Sequence, residues 1–170
     1  MKHETRKAAG ATFLFSLAGI LGWVLFVSDW RLSLPLAVFY IVIVINTYPS
    51  VRLFASIVPS EKSHYILSDV ALTILYILLA ASLGDPITFA LSGTFLFIIA
   101  AGKYTLLLHD IPHPALLKRK ITIDIMGILL CVGSLGIMLS GYVAVGSWAL
   151  AIIFALANVY FLGINPMYRA

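Results

Sequence analysis

Charged side chains are scarce in this sequence: Asp, Glu, Lys and Arg make up only 11% of its 170 residues, whereas 62% are apolar. A water-soluble domain of ordinary composition carries about 25% charged residues. This shortage excludes an ordinary soluble domain. The few basic residues are scattered among short connections, and this distribution argues against nucleic acid as a partner.

Cysteine and the common catalytic motifs are missing as well. Cys131 is the single cysteine, so the chain has neither an internal disulfide nor a Cys-x-x-Cys pair for redox chemistry or zinc. The Gly-x-Ser-x-Gly, His-Glu-x-x-His and glycine-rich phosphate-binding motifs are absent too. No pattern identifies a cofactor, and we expect a protein that is not an enzyme.

Long apolar runs are what the sequence does have. Each is close to the roughly 20 residues that a bilayer-spanning helix needs. The runs lie near residues 12–28, 34–58, 65–83, 86–108, 120–140 and 143–163. They lack the alternation of apolar and polar residues that marks the strands of a membrane barrel. The sequence therefore predicts an all-α, polytopic membrane bundle of six transmembrane helices in a single domain, residues 1–170.

The basic residues between these runs predict the orientation of the chain. Of these residues, only Arg31 falls on one side of the predicted bundle. The other side carries Lys2, Arg6, Lys7, Lys62, Lys118, Arg119, Lys120 and Arg169. Loops rich in Lys and Arg stay in the cytoplasm. We therefore expect a multi-pass protein of the cell membrane with both termini cytoplasmic.

Four charged residues interrupt the apolar runs, namely Arg52, Asp69, Lys103 and Asp124. At 1.5 Å per helical residue, each lies roughly 6 to 10 Å below the cytoplasmic interface. An isolated charge at membrane depth costs at least about 2.5 to 3.5 kcal/mol, so these residues should pair. We expect an ion pair between Lys103 and Asp124, with Asp69 joining Lys103 or Arg52.

These charges predict a pocket that opens to the cytoplasm. Asn46 lies on the second apolar run and Asn158 on the sixth, and we expect them to line the deeper part of the pocket. Ionisable residues inside a membrane usually mark a pathway or a binding site. The expected ligand is a small anionic solute or a lipid headgroup. The structural alternative is that the charges only hold the helices in register.

Histidines form a second cluster in the predicted cytoplasmic turns. His64 lies in one turn, and His109, Asp110 and His113 lie in the next. These are the candidate metal ligands, but prolines flank His113 and prevent a regular helix that would align it with His109. We therefore predict no metal site.

Small residues on two helices predict close helix packing. Ala18 and Gly22 have small-x-x-x-small spacing, and the fifth apolar run contains Gly127, Gly133 and Gly136. Small residues at such spacing let the backbones of membrane helices approach each other.

Together these features favour a small membrane transporter, channel or solute-binding subunit that uses the charged pocket. One alternative is an interfacial enzyme that acts on a lipid-like substrate through the histidines. Another is an accessory subunit without chemistry of its own. A homo-oligomer or a larger membrane complex is compatible with each.

Overall fold

The computed structural model describes residues 2–58, 63–110 and 112–166 of the chain. These residues form six α-helices and a final π-helical turn, with no strand in the ranges described. The helices are α1 (Lys2–Phe26), α2 (Trp30–Ile57), α3 (Ser63–Ala81), α4 (Pro86–Leu107), α5 (Pro114–Leu139) and α6 (Val143–Val159), and the π-helical turn is Tyr160–Ile164. The predicted all-α class is confirmed.

Short polar turns separate the helices at one end of the bundle. Asp29 caps α2 by accepting a hydrogen bond from the backbone N–H of Arg31 at 2.9 Å. Asp85 caps α4 through the N–H of Ile87 at 3.1 Å. Such caps satisfy amide groups that have no partner within the helix. Between α5 and α6, Gly141 has a φ of +93°, a conformation that glycine adopts without steric cost.

Two helices begin earlier than the apolar runs indicate. α1 begins at Lys2 rather than near residue 12, because no proline separates the basic N-terminal segment from the apolar run and Gly10 alone costs only about 1 kcal/mol. α5 begins at Pro114 rather than near Lys120. Proline is well suited to a first helical position, since its missing N–H would have no partner there anyway. Lys120 therefore lies inside the helix.

The six helices close into a ring. α1 packs on α2 and α3, α3 packs on α4, α4 on α5, α5 on α6, and α6 returns to α2. The helix pairs joined by short turns (α1 with α2, α3 with α4, α5 with α6) are all in contact, as are α4 and α5. α1 and α3 approach so closely that a Cβ on Gly22 would lie 2.2 Å from the backbone oxygen of Ala80.

One half of the ring is filled and the other is hollow. The half next to the Asp29, Asp85 and Gly141 turns is packed with fully buried side chains, Leu36, Phe39, Leu79, Phe89 and Leu150. The half next to the α2–α3 and α4–α5 connections contains a cavity. The outer faces of the helices are largely apolar, while several polar groups are buried inside.

Among the residues that the structure describes, five helical segments are long and apolar enough to cross a membrane: His3–Phe26, Trp30–Ile57, Pro86–Leu107, Pro114–Leu139 and Val143–Ile164. The apolar part of α3, Tyr65–Ala81, is shorter. The structure thus agrees with the membrane composition of the sequence. The predicted six crossings and the cytoplasmic position of the termini stay predictions.

Candidate functional site

The hollow half of the ring encloses a cavity of about 890 Å³ to which all six helices contribute. This volume lies in the range of about 300 to 1,000 Å³ that is typical of small-molecule sites. Its lining is mostly apolar, with polar groups among the lining residues. Five of the six predicted site residues line it: Asn46, Asp69, Lys103, Asp124 and Asn158.

Asp124 is the most deeply placed charge in the cavity wall. It lies on α5, and its side chain is 0% exposed. One carboxylate oxygen, Oδ1, accepts a hydrogen bond from the ammonium group of Lys120, one helical turn earlier. The other oxygen, Oδ2, is buried and has no hydrogen-bond partner among the described residues. Because a buried carboxylate oxygen normally has a donor, this atom is the open position of the site.

Lys103 pairs with Asp69, so the predicted ion pair between Lys103 and Asp124 is wrong. The Lys103 side chain is 9% exposed, whereas that of Asp69 is 63% exposed at the edge of the cavity. Asp69 thus pairs with a lysine on the neighbouring helix α4, and Asp124 pairs with a lysine on its own helix, α5. Both pairs satisfy the expectation that charges at this level neutralise each other.

Tyr104 connects the two ion pairs. The Lys120 ammonium lies 5.1 Å from the centre of its ring, and that of Lys103 lies 6.0 Å from it. Both distances are within the range of about 6 Å for attraction between a cation and an aromatic face. The buried Tyr104 ring therefore gives the two ammonium groups a common neighbour in the cavity wall.

Arg52 does not belong to this site. Its side chain is exposed, it does not line the cavity, and it forms no ion pair in the part of the chain that the structure describes. The predicted cluster of four charges is therefore wrong with respect to Arg52. Its depth along the helix is similar to that of Asp69, Lys103 and Asp124, but its side chain lies on the outer face of α2.

The two predicted asparagines differ in how much hydrogen-bonding capacity they leave free. Asn158 is buried and donates through Nδ2 to the carbonyl of Phe154 at 2.9 Å. Asn46 is half-buried and forms no hydrogen bond with another described residue, and Ser50, one turn later on α2, forms none either. The α2 wall therefore offers uncommitted polar groups to the cavity.

Aromatic side chains separate the cavity from the filled half of the ring. Phe97 and Phe154 line it, and both contact Phe39, with ring centres 6.5 Å and 4.1 Å away. Phe15 stacks on Tyr76 with ring centres 4.1 Å apart. The packing is close: a Cβ on Gly127 would lie 2.8 Å from the Phe97 ring. The apolar base of the cavity is thus well defined.

A polar edge of the cavity lies on α1 and α3. His3, Lys7 and Asp69 are exposed and also line the cavity. Counting all charged lining residues, three lysines (Lys7, Lys103, Lys120) face two aspartates (Asp69, Asp124). The cavity wall therefore has a small formal excess of positive charge.

The histidine cluster is not assembled in the described part of the chain. His109, Asp110 and His113 are exposed, and the Asp110 carboxylate accepts a hydrogen bond from the Tyr65 hydroxyl. No three His, Cys, Asp or Glu side chains among the described residues are placed to hold a metal ion. The fourth candidate, His64, has a side chain that lies outside the described residues.

Sequence reasoning missed Lys120 and Tyr104. The sequence places Lys120 at the first position of the fifth run, among the bases of the α4–α5 connection, although its spacing of four residues from Asp124 is the spacing of a helical ion pair. Pro114 is the signal for an earlier helix start, which puts Lys120 well inside α5. Tyr104 carries no comparable signal, since an aromatic residue next to a lysine is common on any buried helix face.

Comparison with protein-family models, with curated proteins and with solved structures returned no match to this chain. The function is therefore argued from the cavity and its charges.

Proposed function

We propose that this chain is a multi-pass protein of the cell membrane, with both termini cytoplasmic, and that it works as a small transporter, channel or solute-binding subunit. The observation that carries the proposal is the cavity of about 890 Å³ inside the ring, into which Lys103, Lys120 and Asp124 bring buried charge. Buried ionisable groups are costly in a membrane, and a binding site gives a reason to keep them.

The placement of the polar groups supports binding rather than packing alone. A charge that only holds helices in register needs a partner but no empty space beside it. Here both ion pairs border a cavity, and Asp124 leaves one oxygen without a partner among the described residues. A purely structural role would not explain the unpartnered Oδ2 atom of Asp124, whereas a binding role would.

The filled half of the ring argues against one of the three proposed activities, that of an open channel. Leu36, Phe39 and Phe89 are fully buried there, and the Phe39 ring contacts Phe89 from across the bundle at 5.5 Å. An open channel needs a continuous polar path, and these side chains interrupt it. The geometry favours a solute-binding subunit or a transporter that opens the second half only when it changes conformation.

Ligand-induced stabilisation tests whether the cavity binds a small molecule. The chain in lipid nanodiscs is heated with decanoate, decanol or decylamine, three probes that share a hydrocarbon body and differ in their head group. At about 100 times Kd, a ligand stabilises the folded state by about 2.7 kcal/mol, which shifts Tm by several degrees. We expect at least one probe to give this shift.

A matched pair of variants locates that binding. Asn46→Phe places a ring in the cavity without breaking a described hydrogen bond, whereas Ile45→Phe places the same ring on the exposed face of α2. The shift should be lost in the first variant and kept in the second. If none of the three probes stabilises the parent chain, the proposal of a small-molecule site in this cavity is refuted.

The membrane orientation needs its own measurement. Alkaline phosphatase, which is active only outside the cytoplasm, is fused to the N- or the C-terminal end of the chain and to the α5–α6 turn at Gly141. Both terminal fusions should be inactive and the Gly141 fusion active, as the distribution of bases predicts. Activity at either terminus would overturn the orientation without touching the cavity.

A further inference from the structure

The cavity has an apolar window between α5 and α6. Met126 and Leu129 of α5 are 61% and 60% exposed, and Ile153 of α6 is 52% exposed, yet all three line the same cavity as Asp124. A side chain that faces both the cavity and the surroundings marks an opening in the wall. Thr122, one turn before Met126, is the exposed polar lining residue of α5, and the other three are apolar, so most of this opening suits hydrocarbon rather than water.

Contacts at both ends of the helix pair frame this window. Towards the α5–α6 turn, Gly146 lies so close to α5 that an added Cβ would be 2.8 Å from the backbone oxygen of Ser134. At the other end, Arg119 donates a hydrogen bond to the backbone oxygen of Asn165 at 2.8 Å, and its guanidinium lies 5.6 Å from the centre of the Phe161 ring. The opening between α5 and α6 therefore lies between two places where these parts of the chain are in contact.

The open position inside the window is a hydrogen-bond acceptor. Asp124 Oδ2 is buried without a partner among the described residues, while Lys120 and Lys103 already pair with carboxylates. Near this oxygen a further anion would meet the buried Asp124 carboxylate and two lysines that are already paired, since the third lining lysine, Lys7, is exposed at the cavity edge. A hydrogen-bond donor would instead complete the carboxylate, which is worth more than an ordinary hydrogen bond because the acceptor is charged.

From this geometry we infer that the cavity takes a small amphipathic molecule from the lipid side, with a hydroxyl, amide or ammonium donor on Asp124 and an apolar body in the α5–α6 window. The body lies against Met126, Leu129 and Ile153. The inference rests on the proposed function and replaces the expected anionic head group with a donor.

The head group is tested with decylamine, decanol and decanoate at equal mole fractions in the bilayer of the nanodisc, so that partitioning does not decide the result. Decylamine and decanol should bind at least about tenfold more tightly than decanoate, the factor expected for one hydrogen bond to a charged group. Ethylamine, which has the donor but no apolar body, should bind far more weakly than decylamine. Equal binding of ethylamine would mean that the ligand comes from water and would overturn the lipid-side source.

Removal of Asp124 alone leaves Lys120 buried without its carboxylate and can prevent folding. The double variant Lys120→Met/Asp124→Leu removes the acceptor and the charge of its partner together, with side chains of similar size. In this variant the preference for decylamine and decanol over decanoate should disappear. If a probe binds the parent chain and its preference persists in the double variant, the assignment of Asp124 is refuted while the proposed function stands.

The window has a matched control on its own helix. Ala157 of α6 lines the cavity and is half-buried, whereas Ala155 is equally half-buried and does not line it. Ala157→Phe should weaken decylamine binding at least about tenfold, since the ring takes the volume of the ligand body, and Ala155→Phe should not. Equal binding by both variants would show that the body lies elsewhere.

Discussion

The buried pair of Lys120 and Asp124 should respond asymmetrically to the loss of one partner and the loss of both. Asp124→Leu leaves the ammonium of Lys120, 8% exposed, without its carboxylate. Breaking a buried pair in this way costs about 3 to 5 kcal/mol. Lys120→Met/Asp124→Leu removes both charges, and buried pairs replaced by apolar residues of similar size are often neutral or more stable.

The pair of Lys103 and Asp69 supplies the internal comparison. Lys103→Met leaves the carboxylate of Asp69, whose side chain is 63% exposed, so the remaining charge keeps much of its solvation. Exposed charges and their pairs contribute about 0 to 1 kcal/mol. Lys103→Met should therefore destabilise the chain by about 1 kcal/mol or less, several-fold below Asp124→Leu.

Thermal unfolding in detergent or nanodiscs measures the difference. At about 2 to 4 °C per kcal/mol for a chain of this size, Asp124→Leu should lower Tm by about 6 to 20 °C, and the double variant should recover most of that loss. Circular dichroism at 222 nm follows the loss of helix. If Asp124→Leu and Lys103→Met lower Tm equally, or if the double variant is as unstable as Asp124→Leu, the assignment of a buried pair is wrong.

Three further predictions follow from single contacts. Gly22→Ala should destabilise the chain by about 1 to 3 kcal/mol because its Cβ would meet the α3 backbone at 2.2 Å, whereas Gly133→Ala, with nothing within 4 Å, should not; Tm measures both. Tyr76→Phe keeps the ring but removes the 2.9 Å hydrogen bond with Thr47, and should cost about 0.5 to 1.5 kcal/mol in the same assay, with Thr47→Val equally costly or more so. Arg52→Ala should change neither Tm nor probe binding measurably, because the side chain is exposed outside the cavity; a large loss of binding would restore Arg52 to the site.

The overall architecture could be predicted because it depends on features that are local in sequence. Length and hydropathy of each apolar run indicate a helix, and short turns at Asp29, Asp85 and Gly141 make consecutive helices neighbours. The closed ring was not predictable in the same way. The α1–α3 and α2–α6 contacts join helices that are distant in sequence, and only side-chain packing selects them.

Close packing by glycine illustrates the same limit. Gly22 lies where a Cβ would strike the backbone of Ala80, as its spacing predicted, whereas a Cβ on Gly127 would strike the Phe97 ring rather than a backbone. Gly133 and Gly136 have the same sequence signal but have nothing within 4 Å. A small residue permits a close approach without requiring one, so the pattern alone does not say which glycines are used.

The ion pairs show why depth in the membrane predicts a polar level but not a partner. Counting residues from a helix end places Lys103 and Asp124 at similar depth, yet pairing also depends on the direction in which each side chain leaves its helix. Lys120 and Asp124 share one face of α5 because they are four residues apart. Once the helix has formed, only their two side chains have to be ordered for them to pair. Lys103 then pairs with Asp69 on α3 instead. The depth of the charges could be predicted from the sequence, whereas the choice of partners depends on side-chain directions that depth alone does not give.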